Sequence, residues 1–543
     1  MITATTASPP ASRGGPERGR SSVARSTAAV SGLNLVSRAT GLGRVVAMSA
    51  ALGATSLGDT YQAANLVSNI LFELLAGGLL SAALVPVFVE ALGRGDRAGA
   101  VRLGGNLLGV ALAGLTVVVA LALAAAPWLM DLLTVSVSDA DLREAQVQLG
   151  TFLLWFFLPQ ILLYAVGAVA TALLHADRRF VAAALAPVCN NVVVIASMVA
   201  FWSMHGDTPS LDLSLSEKVV LGGGATLGVM AMTFVPWLAA GRAGMALRPR
   251  WQPHDPGLRP LVAQGAWAAG HLGLNQVFAM TTVVVAGQVT GGVVAYQIAF
   301  TFFLLPYALL ANPLTTTLYP RLASSAAAGR LTEMRDELSW GVRAMAFVLV
   351  PATFVIAALA RPILEVVRIG NLDVAGADLV SVALSGYMVG LVGYGLAFML
   401  TRASYALGDM RAPTLVSLVA TTVGIVGLVA GTAAVDGTAR VVVLGLVHGA
   451  VVTSMAVALA RVLRPRIGTL GAIGPLMRDI GAGALAGGAA WWVAGVIGVD
   501  SRGAALVALL AGGLVGVVVY LGAQLVIGSD ELRALRETGK VLG

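Results

Sequence analysis

Two arginines, Arg38 and Arg44, lie inside an otherwise apolar stretch of the chain. A guanidinium at the centre of a bilayer costs at least about 2.5–3.5 kcal/mol, so it needs water, a counter-charge or an anion beside it. Further along, Gln62, Asn65, Asn69 and Glu73 follow at spacings of 3, 4 and 4 residues. At 100° per residue they fall within an arc of about 80°, one polar stripe on a helix. Counted outward from the short 53–57 segment, Arg38 and Glu73 reach similar depth and can pair across adjacent helices. Such a pair satisfies two buried charges without any ligand. The other reading is a shared aqueous cavity that receives an anionic substrate.

Other polar positions carry weaker signals. His271 and Asn275 are one turn apart, Tyr296 and Gln297 open an apolar run, and Asn190 and Asn191 precede another. Hydrogen bonds between helices account for most residues of this kind. Pro159, Pro187, Pro306 and Pro413 are expected to kink or end helices. Bond-making chemistry is poorly provided for: H-E-x-x-H, G-x-S-x-G and P-loop patterns are all missing. Gly222-Gly223-Gly224 opens a span instead of a strand-to-helix turn, which argues against a nucleotide. Asp131, Asp139, Asp141 and Glu144 read as a solvated loop with nothing apolar to tune a catalytic acid.

The elements that position these residues follow from composition. Of 543 residues, 57% are hydrophobic and 11% charged, with a mean hydropathy of +0.86. Soluble domains carry roughly 25% charged residues, so a polar skin is missing. A single cysteine, Cys189, rules out a disulfide framework, a thiol pair and a cysteine zinc site. The expected class is an all-α polytopic membrane protein. Apolar stretches long enough to cross about 30 Å of hydrocarbon lie at 27–52, 58–92, 103–133, 147–174, 180–203, 219–241 and 258–286. A second series runs 293–318, 340–368, 374–406, 412–436, 440–463, 474–498 and 503–527, giving fourteen spans.

The net charge of +7 does not point to nucleic acid, because the basic residues sit in gaps between spans. With the N-terminus inside, only Arg143, Lys218, Arg361, Arg368, Arg440 and Arg502 of the 34 basic residues fall outside. Both termini are therefore expected in the cytoplasm. Residues 1–26, rich in Pro, Gly, Ser and Arg, are expected to form a disordered basic tail, and 528–543 a second cytoplasmic tail.

The chain also repeats itself. Val45-Val46-Ala47-Met48 returns as Val277-Phe278-Ala279-Met280, and Tyr61-Gln62 as Tyr296-Gln297. Leu84-Val85-Pro86 matches Leu318-Tyr319-Pro320, and Asp177-Arg178-Arg179 matches Asp409-Met410-Arg411. The nearly constant offset makes two parallel lobes, 27–241 and 258–463, a transporter architecture with the substrate path between halves. Helices at 474–527 fall outside the duplication.

Particular motifs resemble one family. Ser37-Arg38-Ala39-Thr40-Gly41-Leu42-Gly43-Arg44 resembles the S-R-x-x-G-x-x-R opening of the MurJ (MviN) family. Gly58-Asp59-Thr60 with Gly78, Ser81 and Pro86 is similar to that family's second helix. Arg179-Phe180 with Ala186-Pro187 and Asn191, and Tyr405, Gly408-Asp409, Arg411 and Pro413, are similar to two of its helix junctions. The resemblance implies a lipid II flippase of the multidrug/oligosaccharidyl-lipid/polysaccharide exporter superfamily in the bacterial cytoplasmic membrane. It implies two six-helix lobes around a cationic cavity, and two further helices lining a groove for a lipid tail. The implied partners are undecaprenyl-pyrophosphate-linked disaccharide-peptide and the bilayer, with cell-wall synthesis machinery as a candidate. The implied drive is the membrane potential or a coupling cation (Na+ or H+), with no cofactor and no ATP. It adds Asp59 to Arg38, Arg44, Gln62, Asn65, Asn69 and Glu73 as substrate-site residues; by their own polarity His271, Asn275, Tyr296 and Gln297 are further cavity candidates.

The chain departs from the family pattern at two cationic positions. Phe72-Glu73 stands where the family often has arginine, and Gln297-Ile298-Ala299 where an Asp-Arg pair is common. Alternatives are therefore a flippase of another anionic lipid-linked glycan, or a cation-coupled exporter of the same superfamily. A membrane scaffold and an integral glycosyltransferase are the remaining classes. The scaffold needs no buried charge, and the enzyme needs an outward acid with a raised pKa.

Overall fold

A computed structural model describes residues 16–73, 82–206, 210–253 and 273–533. All regular elements among them are helical. The first set comprises α1 (Pro16–Leu52), α2 (Ser56–Phe72), α3 (Ala82–Gly93), α4 (Arg97–Ala124), α5 (Ala126–Leu133), α6 (Ala140–Phe157), α7 (Gln160–Ala176), α8 (Val181–His205) and α9 (Leu215–Arg242). The second comprises α10 (Gly273–Ala286), α11 (Gly292–Pro306), α12 (Asn312–Ala327), α13 (Leu331–Ala358), α14 (Ala360–Val367), α15 (Val374–Met388), α16 (Leu391–Ala406), α17 (Arg411–Ala433) and α18 (Ala439–Ile467). Last come α19 (Ile473–Ile497) and α20 (Arg502–Ile527).

Ten helical segments are long and apolar enough to cross a membrane, or eleven if α15 and α16, bent by 46°, make one span. The expected count of fourteen is therefore not reached among the described residues. Two of the missing spans, 58–92 and 258–286, include residues outside the described set. The third, α1, carries Arg38 and Arg44, which lower its apolar character. It begins at Pro16, inside the stretch expected to be a tail, with proline at a first-turn position where its missing N–H costs nothing. Pro159 separates α6 from α7, and Pro306 leads into a π-turn, Tyr307–Ala311, that joins α11 to α12. Such turns interrupt the i→i−4 ladder and re-aim side chains. Pro187 sits within α8, and Pro413 in the first turn of α17.

The helices up to α9 pack on one another, as do those from α11 to α18, with α2 against α11 joining the two sets. Helices α19 and α20 pack together and against α13. There Gly483 and Gly487 meet Phe354, while Gly512 and Gly516 meet Leu359 and Val355, so small residues bring these backbones close. The buried Asp479 of α19 accepts from Gln524 Nε2 of α20 at 2.7 Å, and Tyr520 donates to the Phe347 carbonyl at 2.8 Å. These bonds pair polar groups inside an apolar layer, where an unpaired one is costly.

Candidate functional site: a polar cavity beneath a glycine seal

At one end of the bundle the two sets of helices interlock through their turns. Asn371 donates its backbone N–H to the Ala50 carbonyl and its side-chain amide to that of Ala51, both at 2.8 Å. Asp59 receives the backbone N–H groups of Gly291 at 2.7 Å and Val294 at 3.0 Å, so a carboxylate of α2 caps the first turn of α11. An anion at a helix N-terminus is favoured by both the free N–H groups and the dipole. Ser136 adds a bond to the Val284 carbonyl. Close approach is possible because three turn residues lack a side chain. A Cβ on Gly53, Gly291 or Gly370 would lie 2.5, 2.3 or 2.4 Å from a carbonyl oxygen across the seam. All three also have positive φ, between 61° and 78°, where glycine is favoured.

Beneath this seal lies a cavity of about 200 Å³ between the helix sets. Arg44 of α1, Gln62, Asn65 and Asn69 of α2, and Gln297 of α11 all line it. Arg44 is the one charged residue on the described walls. Its Nε is buried and has no hydrogen-bond partner among the described residues. A buried guanidinium donor left open beside polar space is a ready receptor for an anion. The helical stripe read from the sequence is thus assembled around Arg44, up to Asn69.

The remaining candidates are placed differently. Arg38 is exposed and donates to the Ala308 carbonyl at 3.3 Å, on the seam between α1 and the π-turn and outside the cavity walls. Glu73 is also exposed and accepts from Gln276 Nε2 at 2.8 Å. Of the two readings of Arg38 and Glu73, the mutual pair does not form, since each has its own partner on the second helix set, and Arg38 is not on the cavity wall either. Asp59 lies buried in the seal instead of on the cavity wall, its oxygens occupied by backbone donors. Tyr296 is buried against Phe300 and Tyr387, because the residue next to cavity-facing Gln297 must point about 100° away on a helix. Asn275 is exposed on α10 and does not line the cavity, and His271 lies outside the described residues. No group of three or more His, Cys, Asp or Glu side chains converges among the described residues.

Lining residues that were not singled out as site residues by sequence include Gln160, Tyr164 and Asn190. The first two, one turn apart after Pro159, carry the same spacing signal as the α2 stripe but in only two positions. Asn190 and Asn191 divide by the same 100° rule. Asn190 lines the cavity, while Asn191 donates to Thr40 Oγ1 at 3.1 Å and holds α8 to α1.

Because Arg38 and Glu73 have separate partners, Arg38→Ala and Glu73→Ala should act additively. A double-mutant cycle on thermal unfolding should give a coupling within about 0.5 kcal/mol of zero. A larger coupling would show that the side chains meet.

The polytopic bundle, its two helix sets and the polar chamber at their seam make up a fold shared with solved proteins of the multidrug/oligosaccharidyl-lipid/polysaccharide exporter superfamily. A solved multidrug-resistance MATE transporter of that superfamily, in an inward-facing conformation, has the same fold, with a TM-score of 0.64 at 15% identity over 81% of this chain and 95% of that one. The sequence model described as "Lipid II flippase MurJ" matches residues 48–500, and the chain belongs to that family. A probable lipid II flippase MurJ of Vibrio cholerae is 27% identical over 405 residues, 72% of this chain and 74% of that protein. The lipid II flippase MurJ of Burkholderia cenocepacia is 27% identical over 405 residues, 73% and 75% of the two chains. A solved lipid II flippase MurJ in an inward closed conformation superposes with a TM-score of 0.71 at 18% identity, covering 92% of this chain and 98% of that one.

Proposed function

We propose that this protein moves lipid II, the undecaprenyl-pyrophosphate-linked disaccharide-peptide, from the cytoplasmic to the outer leaflet for cell-wall synthesis. The observation that carries the reading is Arg44, a half-buried cation whose buried Nε is an open donor on the wall of a polar chamber between two helix sets. A pyrophosphate supplies the acceptor this guanidinium lacks, and the amides of Gln62, Asn65, Asn69 and Gln297 offer partners to sugar hydroxyls. With one arginine on the described walls, the headgroup is held more by amides and less by charge than the family pattern implies. That weakens charge-based selection and places recognition on the sugars.

Transport proceeds by rocking of the two helix sets about the cavity. With both termini cytoplasmic, the glycine seal faces outward and closes the chamber on that side; opening it requires Asp59 to leave the α11 cap and Asn371 to leave α1. The paired helices α19 and α20 hold the polyprenyl tail beside the lobes. A bound ligand shifts two facing states only through differential affinity, so the drive acts on a charge that changes side or exposure. The membrane potential or a Na+ or H+ gradient supplies it.

The test is labelling of outward lipid-linked precursor by an impermeant reagent in vesicles. Collapsing the potential or cation gradient should stop the labelling, whereas removing ATP with the gradient clamped should not. Labelling that follows ATP and ignores the gradient would show that a separate partner energises the protein.

A further inference from the structure

Away from the seal, at the opposite end of the bundle, α7, α8 and α9 meet around a surface groove of about 450 Å³. Its walls are apolar: Leu174, Val181, Leu185 and Val235. Its rim carries Arg178, Arg179 and Arg242. The rim is a built structure. Arg178 is the one non-glycine residue with positive φ among the described residues, at 59°, and it turns the chain sharply between α7 and α8. The preceding Asp177 receives Arg179 Nε at 2.8 Å and Arg97 Nη2 at 3.2 Å. Arg97 also donates to the Ala243 carbonyl at 2.9 Å, which ties the end of α9 to the same turn.

These contacts leave a surplus of positive charge. The one carboxylate of the turn is engaged twice, while Arg178 and Arg242 are exposed and have no partner among the described residues. The internal duplication shows that the fold does not need this charge. In the second set of helices the same turn reads Asp409-Met410-Arg411, and Asp409 likewise takes an arginine, Arg466, at 3.3 Å. Met410 itself has φ of −87°, and the left-handed place that Arg178 fills is taken there by Gly408 at φ 74°, so the turn forms without a charge. Depth gives the third observation. The segments Ala140–Ala176 and Leu215–Arg242 are apolar spans that end at the rim, and Phe234, Trp237 and Leu238 stand exposed beside it. The walls therefore lie at acyl-chain depth and the guanidiniums at headgroup depth.

We propose that this groove holds an anionic phospholipid of the surrounding bilayer. Its phosphate sits between Arg178 and Arg242, and one acyl chain runs along Val181, Leu185 and Val235. The site lies on the outside of the first helix set, apart from the central cavity, and does not depend on what that cavity carries. A free phosphate would use the rim but leave the apolar walls uncovered, which is why a lipid is the occupant.

Native mass spectrometry of the purified full-length protein tests this with phosphatidylglycerol and phosphatidylcholine of identical chains. One site should retain phosphatidylglycerol about tenfold or more over phosphatidylcholine, because both carry the phosphate but choline adds a cation beside the two guanidiniums. The R178Q/R242Q variant should lose that preference. A182W, which fills the groove and keeps every arginine, should lose it as well, and it decides the matter if the double variant does not fold. Inorganic phosphate should fail to displace the lipid. Equal retention of both lipids, unchanged preference in either variant, or full displacement by phosphate would overturn the proposal.

Discussion

Arg44→Ala should abolish complementation when it is the only copy in the native host, with membrane abundance near that of the unaltered protein. Arg44 projects from α1 into polar space and contributes an unpaired donor, so its removal opens the chamber instead of breaking a structural bond. A hydrogen bond to a charged group is worth about 1.5–3 kcal/mol, so affinity for the precursor should fall by about 10- to 150-fold. Arg44→Lys should restore part of the activity, because an ammonium keeps the charge but not the planar fork. Arg38→Ala should be milder than Arg44→Ala, since Arg38 holds a carbonyl on the seam. Growth supported fully by Arg44→Ala, or a greater loss with Arg38→Ala than with Arg44→Ala, would remove the cavity from the mechanism.

Gly291→Val should stop transport by a different route. Its Cβ would lie 2.3 Å from the Ala54 carbonyl oxygen in a residue with φ of 78°, so the seal cannot close. A β-branched residue at positive φ is strained even without a clash. Asp59→Asn should act in the same direction more weakly, because it keeps an acceptor oxygen for Gly291 or Val294 but loses the charge. The measurement is labelling of a cysteine at Asn65, with Cys189 replaced by alanine, using an impermeant maleimide added outside. Asn65 lies on the cavity wall, so it should react in Gly291→Val and stay protected in the parent. Equal protection in both, with transport intact, would mean that this end is not a gate.

The polar stripe on α2 and the arginine at 44 were legible because a membrane makes polarity expensive, and so a repeated polar face is informative. The same signal overreached at both ends of the stripe. Glu73 continues the helical arc but reaches Gln276 of α10, and Asp59 belongs to a cap across the seam. Arg38 and Glu73 match in depth along their helices, yet depth alone does not fix azimuth or the partner helix. Gln160 and Tyr164 went unmarked because two polar residues one turn apart arise readily in any interhelical contact.

Composition and hydropathy period by themselves determined that this chain is an all-helical membrane protein. Those properties follow from the solvent, which requires every spanning backbone to satisfy its own hydrogen bonds and every lipid-facing residue to be apolar. Which glycines seal the seam, which carbonyls Asn371 and Arg38 find, and which of Asn190 and Asn191 faces the chamber were decided only by the tertiary structure. Each depends on contacts between residues far apart in sequence, such as the pairing of residues 51 and 371 or 59 and 291. A helical period gives the face of one helix, but the identity of the opposing face is set by how all the helices pack at once.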